Sequence, residues 1–221
     1  TIYDPSAGRR ESQTFAGNVG LKHLYMTGGQ KRIKELEKEV GRLKELAYRD
    51  ELTALYNRHG FKEESAKFIG EVKGYLENPS RRKNFLVKSL SLVIFDIDDF
   101  KKINDTYSHQ AGDAILKLMS KIVREATREI DMAARWGGEE IIVGLVGSDE
   151  ANAYKIADDI RKKIEEAAVD WKGKKIKLTV SGGVASFAQA EDFESLFKKS
   201  DKALYKAKET GKNKIVKASD L

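Results

Sequence analysis

The residues best placed to do chemistry in this chain are two groups of carboxylates where strands should end. Gly137-Gly138-Glu139-Glu140 stands between two apolar-alternating stretches, Asp131 to Trp136 and Ile141 to Val146, which predicts a β-hairpin with the glycines and acids at its tip. The two glycines are expected to supply positive φ values for a tight two-residue turn and to let backbone approach a ligand closely. The second group closes Leu90-Ser-Leu-Val-Ile-Phe-Asp-Ile-Asp-Asp, a short run of strand formers that stops at Asp96, Asp98 and Asp99. Acids at a strand's end are expected outside the core. If this strand lies beside the hairpin, Asp96 and Glu139 converge on one hard cation. Mg²⁺ suits such a pair, because it takes one or two carboxylates and fills its octahedron with waters and substrate phosphates. Lys101, on the expected first turn of the next helix, carries a charge suited to phosphate oxygens. The pattern reads as a nucleotide–metal site.

Three blocks in order, Phe95-Asp-Ile-Asp-Asp-Phe-Lys-Lys-Ile-Asn-Asp-Thr-Tyr-Ser-His109, Gly112-Asp113 and Arg135-Trp-Gly-Gly-Glu-Glu-Ile141, resemble the GGDEF family of diguanylate cyclases. Asp50-Glu-Leu-Thr-Ala-Leu-Tyr-Asn-Arg58 resembles the family's opening motif. Ser181-Gly-Gly-Val-Ala-Ser and Asp201-Lys-Ala-Leu-Tyr-Lys-Ala-Lys208-Glu-Thr-Gly-Lys212-Asn213 resemble its closing ones. Six blocks in sequence cannot match by accident as one short motif can.

The resemblance implies an enzyme that joins two GTP molecules into cyclic di-GMP, with Mg²⁺ or Mn²⁺ as cofactor and one GTP held by each half of a homodimer. It implies metal ligation by Asp96, the backbone carbonyl of Ile97 and Glu139. Glu139 would also accept the hydroxyl proton, Glu140 would assist, and Lys101 would stabilise charge on the phosphates. Asn104, His109 and Asp113 resemble the base-recognition set, Gly137 and Gly138 the glycines against the substrate, and Lys208 and Lys212 the holders of the distal phosphates. Arg128-Glu-Ile-Asp131, five residues before the double glycine, resembles the inhibitory product site, which Arg161 of the same or another subunit would complete. The implied fold is α+β: a palm-like nucleotidyl-cyclase domain whose central, mostly antiparallel sheet is covered by helices. The chain departs from the pattern at Ile141 for phenylalanine, Ser108 and Ala54 for glycines, and Lys212 for a frequent arginine. The alternative of another class is a catalytically weak receptor that binds cyclic di-GMP through Arg128 and Asp131. A P-loop is excluded, because Gly211-Lys212-Asn213 lacks that loop's first glycine and its Ser/Thr.

These groups need elements to hold them. Ile115, Leu118, Met119, Ile122, Val123 and Ala126 keep helical spacing, as do Ile156, Ala157, Ile160 and Ile164, and Phe193, Leu196, Phe197, Leu204 and Ala207. Lys175 to Val180 alternates as a strand, and Lys214 to Lys217 reads as a short edge strand. Upstream, Ile33, Leu36, Val40, Leu43 and Ala47 form an a/d seam, with Arg32 facing Glu37 and Glu39 facing Lys44 across a parallel dimer. The expected organisation is a tail or domain remnant over residues 1–30, a coiled-coil signalling helix over 31–48 and the catalytic domain over 49–221.

The 221 residues suffice for one domain and an appendage. A net charge of +6 arises from charges of both signs, without aromatics among basic clusters such as Arg81-Arg82-Lys83, so no nucleic-acid partner is expected. Absence of cysteine fits a reducing, cytoplasmic compartment, and no apolar run is long enough to cross a bilayer. The chain begins at Thr1 rather than Met and is expected to be a fragment, with an upstream sensor domain in the full-length protein.

Overall fold

Leu90–Ile97 is apolar at nearly every position, so it offers no solvated face and must lie inside a sheet covered on both sides. The computed structural model describes residues 28–78 and 85–221 and places this strand at the sheet's centre. In chain order the elements are α1 (Gly28–Tyr48), α2 (Arg58–Glu77), β1 (Leu90–Ile97), α3 (Phe100–Tyr107), α4 (His109–Ala126), β2 (Met132–Arg135) and β3 (Glu140–Val146). They continue with α5 (Glu150–Glu166), β4 (Val169–Trp171), β5 (Lys174–Ile176), β6 (Val180–Ser186), α6 (Phe193–Glu209) and β7 (Ile215–Lys217). The chain divides into two units, Thr1–Lys44 and Glu45–Leu221.

In the second unit the sheet order is β2-β3-β1-β6-β7, antiparallel except for the β6–β7 pair. Alternation along β1 splits the core in two. Val93, Phe95 and Ile97 pack with Ile115 and Met119 of α4 and Ala157 and Ile160 of α5. Leu92 and Ile94 pack with Phe61 and Val72 of α2 and Leu196 and Leu204 of α6. Each of these β1 side chains is fully buried, a gain of about 1.5–3 kcal/mol apiece over exposure. The helices start where side chains cap them. Asn57 Oδ1 accepts from Gly60 N at 2.9 Å, Asp149 Oδ1 from Asn152 N at 2.8 Å, and Asp192 forms a capping box with Ser195. Each such cap is worth about 1 kcal/mol.

The α+β fold, the three helical stripes and the edge strand at Ile215–Lys217 agree with the sequence reading. Lys175 to Val180 is not one strand. Lys174–Ile176 instead pairs with Val169–Trp171, because Lys172 and Gly173 both take positive φ (53° and 79°) and close a two-residue hairpin turn. Helix α2 carries no clean apolar stripe and was not foreseen. The expected tail over 1–30 is helical from Gly28; its remainder, like Arg81-Arg82-Lys83, lies outside the described residues. In the first unit, Ile33, Leu36, Val40 and Leu43 of α1 are each about half exposed. No helix among the described residues is long and apolar enough to cross a membrane.

Candidate active site

The register of β1 brings the two acidic groups together. Asp96 pairs across to Glu140 on one side and to Ser181 on the other, so Asp96 and Glu140 project from the same sheet face as Ile94 and Ile142, toward α2 and α6. Glu139 precedes them in the turn. The Lys208 ammonium, on the last turn of α6, donates to Asp96 Oδ1, whose side chain is 14% exposed. Burial raises the pKa of Asp96, with Asp98 adding to the rise and Lys208 opposing it. Glu139 and Glu140 are also held above the ordinary carboxylate range, first by burial and then by the charge of Asp96. Three carboxylates with raised pKa values, and one ammonium drawn onto Asp96, form a site short of positive charge.

Such a donor set fits a hard divalent cation. Ile97 is fully buried, so only its peptide oxygen could join Asp96 and Glu139. Among the described residues no three acidic, His or Cys side chains are grouped so as to hold a metal ion by themselves.

The turn is built differently from the expectation. It has four residues, Trp136–Glu139, closed by Trp136 N to Glu140 O at 2.9 Å, and neither Gly137 nor Gly138 has positive φ. Only Gly137 matters for space: a Cβ there would lie 2.6 Å from Glu140 Oε2, whereas one on Gly138 would meet nothing within 4 Å. Arg135 holds the turn by donating to Gly138 O from Nη2 (2.9 Å), and its Nη1 reaches Asp50 Oδ2 at 3.3 Å. Trp136 anchors the other side, 5.1 Å from the Phe197 ring, with the Arg58 guanidinium 4.6 Å above it. Arg135 and Trp136 stand in the motif read from sequence, but their roles became visible only in three dimensions.

The three acids after β1 have three different fates. Asp98 is 5% exposed and accepts from Thr179 Oγ1 (2.8 Å), Ser181 Oγ (2.7 Å) and Asn213 N (3.0 Å), which corrects the expectation that strand-end acids lie outside the core. Three donors, two arriving from Thr179 and Ser181 at the start of β6 and one from the loop after α6, make burial of that charge tolerable. Asp99, at φ 56°, is exposed and pairs with Lys212 at 2.7 Å. Lys101 is exposed on the first turn of α3.

Asn104 lies against α4 at Gly112, where a Cβ would stand 2.1 Å from Asn104 Oδ1. That oxygen is buried and has no hydrogen-bond partner, so it can take a donor from a bound molecule. His109 and Asp113 are exposed on the first turns of α4 beside it. Ser108, between the two helices, is held at φ 123° and ψ 162°, backbone that normally requires glycine. Ala54 likewise sits at φ 58°. Ile141 is fully buried in the core, so the departure from phenylalanine is a packing change.

At the opposite end of β1, Arg128 forks to Asp131 at 2.9 and 3.0 Å and donates to Val146 O at 2.7 Å. The Asp131 side chain is 2% exposed and also accepts from the backbone N–H of Arg128 and of Val146, so its oxygens are occupied within the chain. Arg128 lines a cavity of about 400 Å³ with Arg49, Tyr56, Glu64 and Arg124. Arg161 of this chain does not complete that site. It bonds Asn213, which is tied to Asp98 past one end of β1, whereas Arg128 meets Val146, which pairs with Leu90 at the other. A strand of this length separates the ends by roughly 20 Å.

A family model described as "Diguanylate cyclase, GGDEF domain" matches residues 47–214. The chain belongs to the GGDEF family. Diguanylate cyclase A of Treponema denticola is 44% identical over 142 residues, which are 64% of this chain and 38% of that protein. Diguanylate cyclase DgcM of Escherichia coli is 31% identical over 217 residues, 95% of this chain and 48% of that one. The chain thus spans less than half the length of these two relatives. Among solved structures, the coiled coil and GGDEF domain of DgcB from Caulobacter crescentus, in complex with c-di-GMP, covers 86% of this chain and 95% of its own at 23% identity. Its TM-score of 0.73 establishes the likeness of fold.

Proposed function

We propose that this GGDEF chain is a diguanylate cyclase that condenses two GTP molecules into cyclic di-GMP. Each ribose 3′-hydroxyl attacks the other nucleotide's α-phosphate, two phosphodiester bonds form and two pyrophosphates leave. The observation that carries this reading is the gathering of Asp96, Glu139 and Glu140 at one end of the sheet, each held above its ordinary pKa, with Lys208 drawn onto them. Asp96, the Ile97 carbonyl and Glu139 would hold Mg²⁺ or Mn²⁺, which supplies charge neutralisation at the phosphates and a more acidic attacking hydroxyl. Glu139 takes the hydroxyl proton and Glu140 supports it. Lys101, Lys208 and Lys212 meet the phosphates, with Lys208 leaving Asp96 as the triphosphate arrives. Asp113 accepts from guanine N1–H and N2–H. The orphaned Asn104 Oδ1 takes a further donor on the base.

One domain carries one such half-site, so the reaction needs two copies face to face. The unpartnered apolar seam of α1 supports pairing as a parallel coiled coil, with residues 31–48 as the signalling helix and 49–221 as the catalytic domain. A sensor domain in a longer protein would set that pairing. Cyclic di-GMP returns as feedback ligand at Arg128, whose half-exposed guanidinium is free to stack on guanine beside the cavity. On this reading the segment works in the cytoplasm, where GTP is made.

The test is Glu139→Gln, which keeps size and removes the charge. With an unchanged circular dichroism spectrum it should lose at least a hundredfold in pyrophosphate release, in line with the loss of a general base. A folded variant that turns over at the wild-type rate rules the assignment out.

A further inference from the structure

Within this chain Arg161 is engaged away from Arg128. On α5 its side chain is 11% exposed, and its guanidinium is engaged at two nitrogens: Nε to Asp158 Oδ1, and Nη1 to both Glu165 Oε2 and Asn213 Oδ1, each at 2.8 Å. Asn213 Nδ2 returns to Glu165 Oε1 at 2.7 Å, and Asn213 N donates to the buried Asp98. The segment held in this way is unusual. Gly211, Lys212 and Asn213 take φ values of 112°, 61° and 47°, three consecutive residues in backbone that L side chains rarely adopt. A turn of this kind persists only where its surroundings fix it. Arg161, Glu165 and Asp98 do so from three directions. The outcome is that Lys212 points back across the end of the sheet to Asp99 with its ammonium still exposed, beside the Asp96–Lys208 pair.

We infer that Arg161 is a positioning residue for the nucleotide's distal phosphates: through Asn213 it holds the left-handed turn that aims Lys212 into the site. The inference rests on the nucleotide reading above, in which Lys212 meets the triphosphate. It differs from a purely structural role in one respect. Loosening the turn should weaken the grip on the β- and γ-phosphates and leave the base and ribose contacts alone.

Two variants isolate the link. Asn213→Gly keeps the left-handed backbone and its N–H to Asp98 but removes both side-chain bonds. Arg161→Met keeps the packed stem without the guanidinium. The probes are 3′-deoxy-GTP, which lacks the attacking hydroxyl, and 3′-deoxy-GMP, which lacks the distal phosphates, both titrated calorimetrically in the presence of Mg²⁺. Each variant should bind the triphosphate about tenfold more weakly, as expected for loss of a charge-assisted hydrogen bond, with affinity for the monophosphate unchanged. The double variant should be no worse than either single one, because both cut the same link. In turnover the loss should fall on KM for GTP with kcat within about twofold, and Arg161→Lys should recover part of it. Equal weakening of both probes, additive losses, or unaltered triphosphate affinity in Asn213→Gly overturns the inference. A wild-type protein that binds the triphosphate no better than the monophosphate overturns the nucleotide reading itself, and the inference with it.

Discussion

Gly183→Ala should separate α6 from the sheet and silence the site without touching any residue in it. A Cβ built on Gly183 would lie 2.0 Å from Ser200 O, 2.2 Å from Leu204 N and 2.9 Å from Ala203 C. These are backbone atoms of α6, which cannot rotate aside as a side-chain end can. The nearest is short of ordinary contact by about 1.5 Å, so the helix must retreat by a distance of that order. That helix buries Leu196, Ala203, Leu204 and Ala207, and Ser200 Oγ bonds Leu92 O at 3.2 Å, so retreat opens the core along its length. We expect a cost of about 3 kcal/mol or more, the upper end for overpacking. Lys208 rides on the same helix, and a misplacement of about 1 Å near reacting groups can cost on the order of 10²-fold in rate. Gly182→Ala is the control. Its Cβ would meet side-chain ends, Ile215 Cδ1 at 2.7 Å and Phe95 Cδ1 at 3.2 Å, with Ile94 O at 3.3 Å, and should cost about 1 kcal/mol. Neither glycine has positive φ, so the comparison is purely steric. Urea unfolding of both variants, with midpoint and slope compared, measures the difference. If Gly183→Ala is as stable as Gly182→Ala, the account of how α6 sits on β6 is wrong.

Ser108→Gly should stabilise the protein by about 1 kcal/mol, because relief of glycine-only backbone and of an unpartnered buried hydroxyl outweighs the chain entropy of glycine; a lower urea midpoint would refute this. Raised carboxylate pKa values mean that the folded chain holds protons which the unfolded chain releases. In metal-free buffer, Asp96, Glu139 and Glu140 therefore cost stability as pH rises from the ordinary carboxylate value through the raised ones. Glu139→Gln should then be more stable than wild type near neutral pH in metal-free buffer, with the advantage fading in acid. Thermal scans of both proteins in a chelating buffer across this range check it, and a wild type as stable as the variant at neutral pH would contradict it. Placing Asp at both Leu36 and Leu43 should make activity per mole fall steeply on dilution, since each domain holds half a site; sedimentation run alongside would refute the pairing if a monomer kept full rate.

The sheet and its helical covers were legible because periodicity records which faces are buried: the α4 stripe of Ile115, Met119 and Val123 has one reading. Asp96 and Glu139 were legible as acids at strand ends, and the β1–β3 register brings those ends together. What escaped depends on register and on partners distant in sequence. Asp98 looks like Asp96 on the page, yet two residues along the strand it meets Thr179, Ser181 and Asn213 and becomes an internal anchor. Arg161 reads from sequence as completing the product site from the same or another subunit, and the antiparallel course of the chain puts it at the other end of the sheet from this chain's own Arg128. The double glycine suggested turn geometry, but the loop is longer than the tightest hairpin, neither glycine has positive φ, and only Gly137 lies close to another group, the Glu140 carboxylate. By contrast, Ser108 and Ala54 were visible as departures from a glycine pattern, and the structure gives the reason: both sit at positive φ. Helix α2 was missed because its buried residues, Gly60, Phe61, Ser65 and Val72, include two that no apolar pattern would count.

The most direct test of the central claim is to incubate the chain with GTP and Mg²⁺ and identify the product by mass while counting pyrophosphate. The account predicts cyclic di-GMP with one pyrophosphate released per GTP consumed, and no product from a folded Asp96→Asn protein. Failure of the wild type to form the cyclic dinucleotide at any protein concentration, or its formation undiminished by Asp96→Asn, would contradict it.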